Sequence, residues 1–285
     1  MITFTKRNLL VFFRDRTAVF FSMLSSLIIV GLYVLFLGDT WASDFEGFAH
    51  VKQLMDNWVM AGLLSVTTVT TTMGAFGIMV GDRAEKISKD FYVSPTHRRD
   101  LALGYVLSAA IVGFALSIVT LIAAEIYIGA RGGELLSTSA LCKLLLLILA
   151  ADLANTAMIF FITSFFESNN AFSTASTIIG TLIGFVTGIY LPIGVLPDGV
   201  QWIVRLFPTS HAAALMRQTM MEAPMAQSFE GVPVSQTQHV EEMLGVHFWF
   251  GEKELTGGMN LLILLGFGIL FFALAAANLS RKKRV

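Results

Sequence analysis

The sequence predicts an all-α polytopic membrane protein: six transmembrane helices, preceded by an N-terminal interfacial helix and carrying an outer re-entrant helical hairpin between the fifth and sixth. Three observations predict it. Of 285 residues, 55% are hydrophobic and only 14% charged, against about 25% charged in ordinary soluble domains. Apolar runs recur six times at the length of about 20 residues that a hydrocarbon layer of about 30 Å demands of a helix. Lys and Arg concentrate in alternate connecting segments, as the positive-inside rule requires. The same composition excludes a disordered chain, which would be poor in apolar residues. The single Cys142 excludes a disulfide-stapled scaffold. No basic run is interleaved with aromatics, so no nucleic-acid partner is expected.

The elements follow in order. Segment 1–17 mixes Phe4, Leu9, Leu10, Phe12 and Phe13 with Lys6, Arg7, Arg14 and Arg16, the pattern of a helix lying in the inner headgroup layer. The spans run at about 18–37, 58–80, 101–128, 144–166, 171–191 and 258–279. The first follows a long charged stretch, its apolar core is long and no small-residue cleavage site follows, so it is expected to remain as an anchor rather than be removed as a signal peptide. Segments 1–17 and 81–100 and the tail Arg281-Lys282-Lys283-Arg284 hold thirteen of the nineteen Lys and Arg residues. Asp39, Asp44, Glu46 and Asp56 lie on the other side. Both termini are therefore expected on the cytoplasmic side of a plasma (inner) membrane.

Loop 82–95 reads as a short amphipathic helix with Phe91, Tyr92 and Val93 at its apolar end and Pro95 as its stop. Such a charged helix between two spans is a shape for docking a cytosolic partner or, alternatively, a solvated connector. After span five, Pro192, Pro197 and Pro208 interrupt the apolar segment 192–221 into pieces too short to cross a bilayer. They read as two helices dipping into the outer leaflet, with Trp202 and Arg217 on them, or as an interfacial loop. Segment 222–257 reads as a polar external loop with little core of its own.

Two stretches resemble a known family. Arg83-Ala84-Glu85-Lys86 followed by Pro95 is similar to the first cytoplasmic loop of ABC type-2 exporter permeases, where an Arg-Glu pair opens the coupling helix. Leu191-Pro192, Leu196-Pro197, Trp202, Phe207-Pro208 and Arg217 resemble that family's proline-marked hairpin. The resemblance covers nearly the whole chain. It implies the transmembrane subunit of an ATP-driven exporter, paired with a second permease copy or a paralogue and with a separate cytosolic ATPase that binds ATP and Mg. It also implies coupling residues Arg83, Glu85, Lys86, Phe91, Tyr92 and Pro95. No G-x-x-x-x-G-K-[ST] motif is present, and Gly is never followed by Lys, so the ATPase is expected on another polypeptide.

Within the spans, Asp152 and Asn155 share a helix face. An ionisable group at membrane depth is a functional candidate, although a structural hydrogen bond would also place it there. Thr68 and Thr71 in span two, and Ser173 and Thr177 in span five, suit either close helix packing or the wall of a pathway. The Gly180-Gly184-Gly188 ladder suggests a face for close approach. No nucleophile elbow, catalytic set or metal-ligand spacing is visible. An amphipathic drug, peptide or lipid is the expected substrate. The alternatives are an ion- or proton-coupled carrier, which would show internal repeats and more intramembrane charge, and a permease for lipid-linked glycans.

Overall fold

A computed structural model of the chain describes residues 1–33, 50–93, 96–250 and 253–281. The acidic residues Asp39, Asp44 and Glu46, the loop proline Pro95 and most of the basic tail lie outside the described residues.

The described residues are helical almost throughout. Helix α1 (Ile2–Arg14) leads into α2 (Arg16–Leu32), α3 (Val51–Ala84), the short α4 (Ile87–Val93), α5 (Arg98–Ala130), α6 (Thr138–Thr163) and α7 (Asn169–Val186). A 3-10 turn at Ile193–Val195 then precedes α8 (Asp198–Leu206), α9 (Pro208–Met220), α10 (Glu222–Ser228) and α11 (Val234–Met243). A two-residue antiparallel pair, β1 (Trp249–Phe250) and β2 (Lys253–Glu254), connects to α12 (Gly257–Arg281). Among the described residues four helices, α3, α5, α6 and α12, are long and apolar enough to cross a membrane.

Local chemistry sets the helix ends. Asp15, Ser137 and Ser168 cap α2, α6 and α7 by accepting backbone hydrogens from Ala18, Ala140 and Ala171. The left-handed Gly132 ends α5, and the Gly133 N–H returns to the Ile128 carbonyl at 2.9 Å. Helix α7 stops at Val186, short of the expected 191, by the same device: Gly188 is left-handed at φ 68° and the Ile189 N–H reaches back to the Gly184 carbonyl at 3.0 Å. Two rungs of the glycine ladder serve close approach within the chain: a Cβ on Gly184 would run into the ring of Tyr190, and one on Gly188 into the side chain of Ile193.

Helix α3 is the axis of the bundle. It packs against α2, α5, α6, α7 and α9 and is buried along most of its length, whereas α12 is largely exposed. Its 34 residues span about 51 Å at 1.5 Å per residue, longer than the hydrocarbon layer. Asp56 and Asp82, about 39 Å apart along it, mark its two ends, and each meets a cation. Arg131 Nε lies 3.4 Å from Asp56, and Arg7 Nη1 lies 2.6 Å from Asp82. Ion pairs at both ends, with apolar side chains and hydroxyls between, are the pattern that a low-dielectric layer imposes.

Segment 222–257 departs from the expectation of a loop without a core. It folds as α10, α11 and the β pair, and it buries Met225, Phe229, Val240, Leu244 and Phe248. Phe248 and Leu255 form a small cluster with Ile193, Val204 and Ala214. Trp58 Nε1 donates to the Leu244 carbonyl at 2.8 Å, which ties this cap to the axis. Its apolar residues are too sparse for a recognisable period and find burial only against the rest of the bundle, α3, α8, α9 and the 3-10 turn among it.

Candidate functional site

At the Asp82 end, three elements are locked together. Arg7 of α1 donates two hydrogen bonds to the Asp82 carboxylate, at 2.6 and 2.8 Å. Tyr105 Oη of α5 donates a third at 2.6 Å. A bidentate guanidinium–carboxylate pair is short, directional and charge-assisted. The carboxylate holds the Arg7 guanidinium more firmly protonated than usual. Phe4 adds edge contacts to Phe91 and Tyr105, at 5.1 and 4.9 Å between ring centres. Arg7 also lies 5.4 Å from the Phe91 ring centre. Helix α1 therefore grips α4 and the start of α5. Its outward side shows Leu10, Val11 and Phe13, the apolar face of a helix lying in a headgroup layer. Sequence reasoning missed Asp82 and Tyr105. The signal available was an acid one position before Arg83, at the end of an otherwise apolar helix.

The expected coupling residues divide. Arg83 turns back to the bundle: its Nη1 donates to the carbonyls of Thr163 and Phe166, both at 3.3 Å, and so satisfies the open end of α6. Glu85 and Lys86 are exposed beyond α3, with Lys86 in the left-handed conformation at φ 65°. Phe91 is half-buried on Phe4 and Arg7. Tyr92 lies within α4, beside Val93, which is 86% exposed. Pro95 falls outside the described residues.

The prolines of the hairpin each open an element. Pro192 precedes the 3-10 turn, Pro197 precedes α8 and Pro208 is the first residue of α9, the position where a missing N–H matters least. Helix α8 turns Trp202, Ile203 and Leu206 outward, with Trp202 51% exposed. Helix α9 does the reverse. It is wedged among α3, α6 and α12 and buries twelve of its thirteen residues, Arg217 included.

The first turn of α9 enters a polar seam inside the bundle. Thr209 Oγ1 donates to Asn155 Oδ1 at 3.0 Å, and Asn155 Nδ2 donates to Thr68 Oγ1 at 2.8 Å. Ser65 Oγ donates to the Thr209 carbonyl at 3.0 Å. One turn along, Thr72 Oγ1 donates to Asp152 Oδ1 at 3.4 Å, while Asp152 Oδ2 has no partner among the described residues. Gly113 of α5 presses on this carboxylate. A Cβ there would lie 2.6 Å from Thr72 Oγ1 and closer still to Asp152, so only glycine leaves the acid its room. Thr71, also buried, spends its hydroxyl on the Thr67 carbonyl at 2.6 Å. The seam thus gathers Thr68, Asp152 and Asn155 but not Ser173 or Thr177. Those two are exposed on α7, and Thr177 donates to the Ser173 carbonyl at 3.0 Å. Glu125 accepts from the Leu136 N–H at 3.1 Å and organises the loop between α5 and α6. Among the described residues no group of three or more His, Cys, Asp or Glu side chains could hold a metal.

A search of curated proteins finds no match. The sequence model of the ABC-2 family transporter protein matches residues 44–277, ending in the last turns of α12. That match takes in the long apolar helices, the exposed Glu85 turn and the proline-opened hairpin. With most of its length covered, the chain belongs to the ABC-2 family of transporter proteins and is a membrane permease of an ABC transporter, the transmembrane part rather than the ATPase.

Proposed function

We propose that the chain is the permease subunit of an ATP-driven exporter, moving an amphipathic drug, peptide or lipid out of the cytoplasm by alternating access, with a separate cytosolic ATPase as its motor. The observation that carries this reading is the construction of the Asp82 end. Glu85, Lys86 and Val93 project outward from a turn that is anchored on every side: Arg83 on α6, Asp82 on α1 and α5, Phe91 on α1. A force applied to the α4 turn is therefore passed to α1, α3, α5 and α6 together instead of being lost in a loose loop. ATP-driven closure of the partner shifts the bundle between two packings, as any bistable element responds to differential affinity.

Helices α2 and α7 supply the two further crossings of a six-span topology. Ser26 of α2 shares a hydrogen bond with Thr67 of α3 at 2.7 Å, and α7 lies along α3. On this reading both termini are cytoplasmic, the membrane is the plasma (inner) membrane, and α8 with α9 is an outer re-entrant hairpin. The exposed face of α7, with Ser173 and Thr177, packs on the second permease subunit. ATP and Mg belong to the ATPase.

The test is affinity purification of the tagged chain from its host, followed by ATPase and transport assays in reconstituted vesicles. An ATP-binding-cassette ATPase co-purifies, and Glu85→Lys abolishes its association or uncouples hydrolysis from transport. Full transport and full assembly in Glu85→Lys would refute the coupling assignment.

A further inference from the structure

Asp56 and Asp82 each meet an arginine, whereas among the described residues Asp152 forms no ion pair. Its side chain is wholly buried, and Oδ2 presents no surface that a water could touch. Neither a water nor a metal ion therefore has room beside that oxygen. Among the described residues the only donor at the carboxyl is the Thr72 hydroxyl, 3.4 Å from Oδ1. That hydroxyl has one hydrogen, and it is shared with the Thr68 carbonyl at 2.6 Å. The shorter bond holds it, so Oδ1 faces an oxygen with lone pairs and little hydrogen left to give. Two such oxygens repel unless one brings a further proton, and the carboxyl is the one that can.

No charge on a neighbouring helix offsets an ionised Asp152. Helix α6 packs against α3, α5, α9 and α12. On α3 the titratable groups are Lys52, Asp56, Asp82 and Arg83; on α6 itself they are Cys142 and Lys143. On α5 they are Arg98, Arg99, Asp100, Tyr105, Glu125 and Tyr127, and the two tyrosines are bonded to Asp82 and Asp56. All stand about 12 Å or more along their helices from Thr72, Gly113 or Asp152. On α9, His211 is held by Asn260 and the Arg205 carbonyl, and Arg217 by the Gly188 carbonyl. Helix α12 has no titratable residue before Arg281. An ionised Asp152 would thus be an uncompensated buried charge, among the costlier arrangements in a protein. A proton removes the charge and needs no space.

We infer that Asp152 is a proton-binding site: in this packing its carboxyl is a neutral acid whose Oδ1–H donates to Thr72 Oγ1 and joins α6 to α3. The proton comes from bulk water. It returns there when the two helices part far enough for water to solvate the carboxylate, so alkaline solution loosens the contact between α3 and α6. The site stands apart from the exporter reading, because the proton is observed on the isolated permease without an ATPase. A failed proton site leaves the exporter assignment intact, and a failed transport assay leaves the site intact.

The test is infrared spectroscopy of the full chain in phosphatidylcholine nanodiscs at neutral pH. Wild type shows the carbonyl stretch of a protonated carboxylic acid, and Asp152→Asn loses it. Thr72→Val moves the band, because the acceptor of its hydrogen bond is gone. Aspartate labelled with carbon-13 at the side-chain carboxyl shifts the band in wild type, which keeps the assignment if Asp152→Asn does not fold. In thermal unfolding, a proton held only by the folded state is lost as pH rises, so the wild-type midpoint falls more steeply than that of Asp152→Asn from about pH 7 to about pH 10. Absence of a band that the label shifts, a band retained in Asp152→Asn or unmoved in Thr72→Val, or parallel pH dependences would overturn the proposal. So would a midpoint raised by sodium chloride over choline chloride in wild type but not in Asp152→Asn, because the occupant would then be a metal cation.

Discussion

Asp82 shows how one side chain can decide the geometry of an interface. It is 4% exposed, yet it takes three short hydrogen bonds from two other helices. Replacing it by Asn preserves the shape and the Tyr105 bond but removes the charge that makes the Arg7 fork strong. The expected loss is about 1–2 kcal/mol, at the low end for a bidentate pair because the Arg7 side chain is 33% exposed and water screens it. Thermal unfolding of Asp82→Asn, Arg7→Gln and the double variant measures it, and the double variant should lose less than the sum of the two. If the two losses simply add, the pair does not couple α1 to α3. Glu241 offers a second residue-scale prediction, outside the spans. Burial, reinforced by Glu254 and opposed by His247, lifts its carboxyl above the ordinary value of 4.5. A carboxyl raised in the folded state stabilises that state while protonated, below the unfolded value, and the contribution is lost as pH rises through the folded one. Glu241→Gln should therefore flatten the fall in melting temperature as pH increases above 4.5. Parallel melting curves for wild type and variant would contradict it.

At the scale of elements, α9 shows what a helix that does not cross the bundle can do. Its thirteen residues match no amphipathic surface helix, because nearly every side is covered. Its first turn is held through Thr209 by Asn155 and Ser65, which couples the hairpin to α3 and α6 by directed bonds rather than by apolar contact alone. Asn155→Leu keeps the branched outline and deletes one donor and one acceptor. That strips Thr68 of a donor and Thr209 of its acceptor, at an expected cost of about 1–3 kcal/mol, read as a lower unfolding midpoint. It should also release α9, read as faster hydrogen exchange in 208–220 than in α5. Unchanged exchange there would show that α9 is held by packing alone. The three prolines that betrayed this region in the sequence act as helix starters, so the breaks were legible. That α8 shows its apolar face outward while α9 is engulfed was not, since both are short segments of mixed polarity.

For the whole molecule, the proposed second permease subunit makes its own prediction. Helix α7 leaves Ser173, Thr177, Ile178 and Leu182 exposed while the other face of the helix covers α3. In a Cys142→Ser background, Thr177→Cys should form a disulfide-linked species of twice the mass under mild oxidation if two identical copies meet there. A cysteine at Leu262 on the exposed face of α12 should not. Crosslinking at Leu262 instead would move the interface to α12. Composition and hydropathy determined the class of the molecule, since burying so much apolar surface with so few charges requires lipid as well as a core. They also determined the long helices and the proline breaks, because these depend on neighbours within one turn of chain. The tertiary structure alone decided that Asp82 joins α3 to α1 and α5, that segment 222–257 has a core, and that Arg217 is buried against Trp58 with no ion pair among the described residues. Each of these depends on pairing residues tens of positions apart, where the free energy lies in desolvation and geometry rather than in any local period.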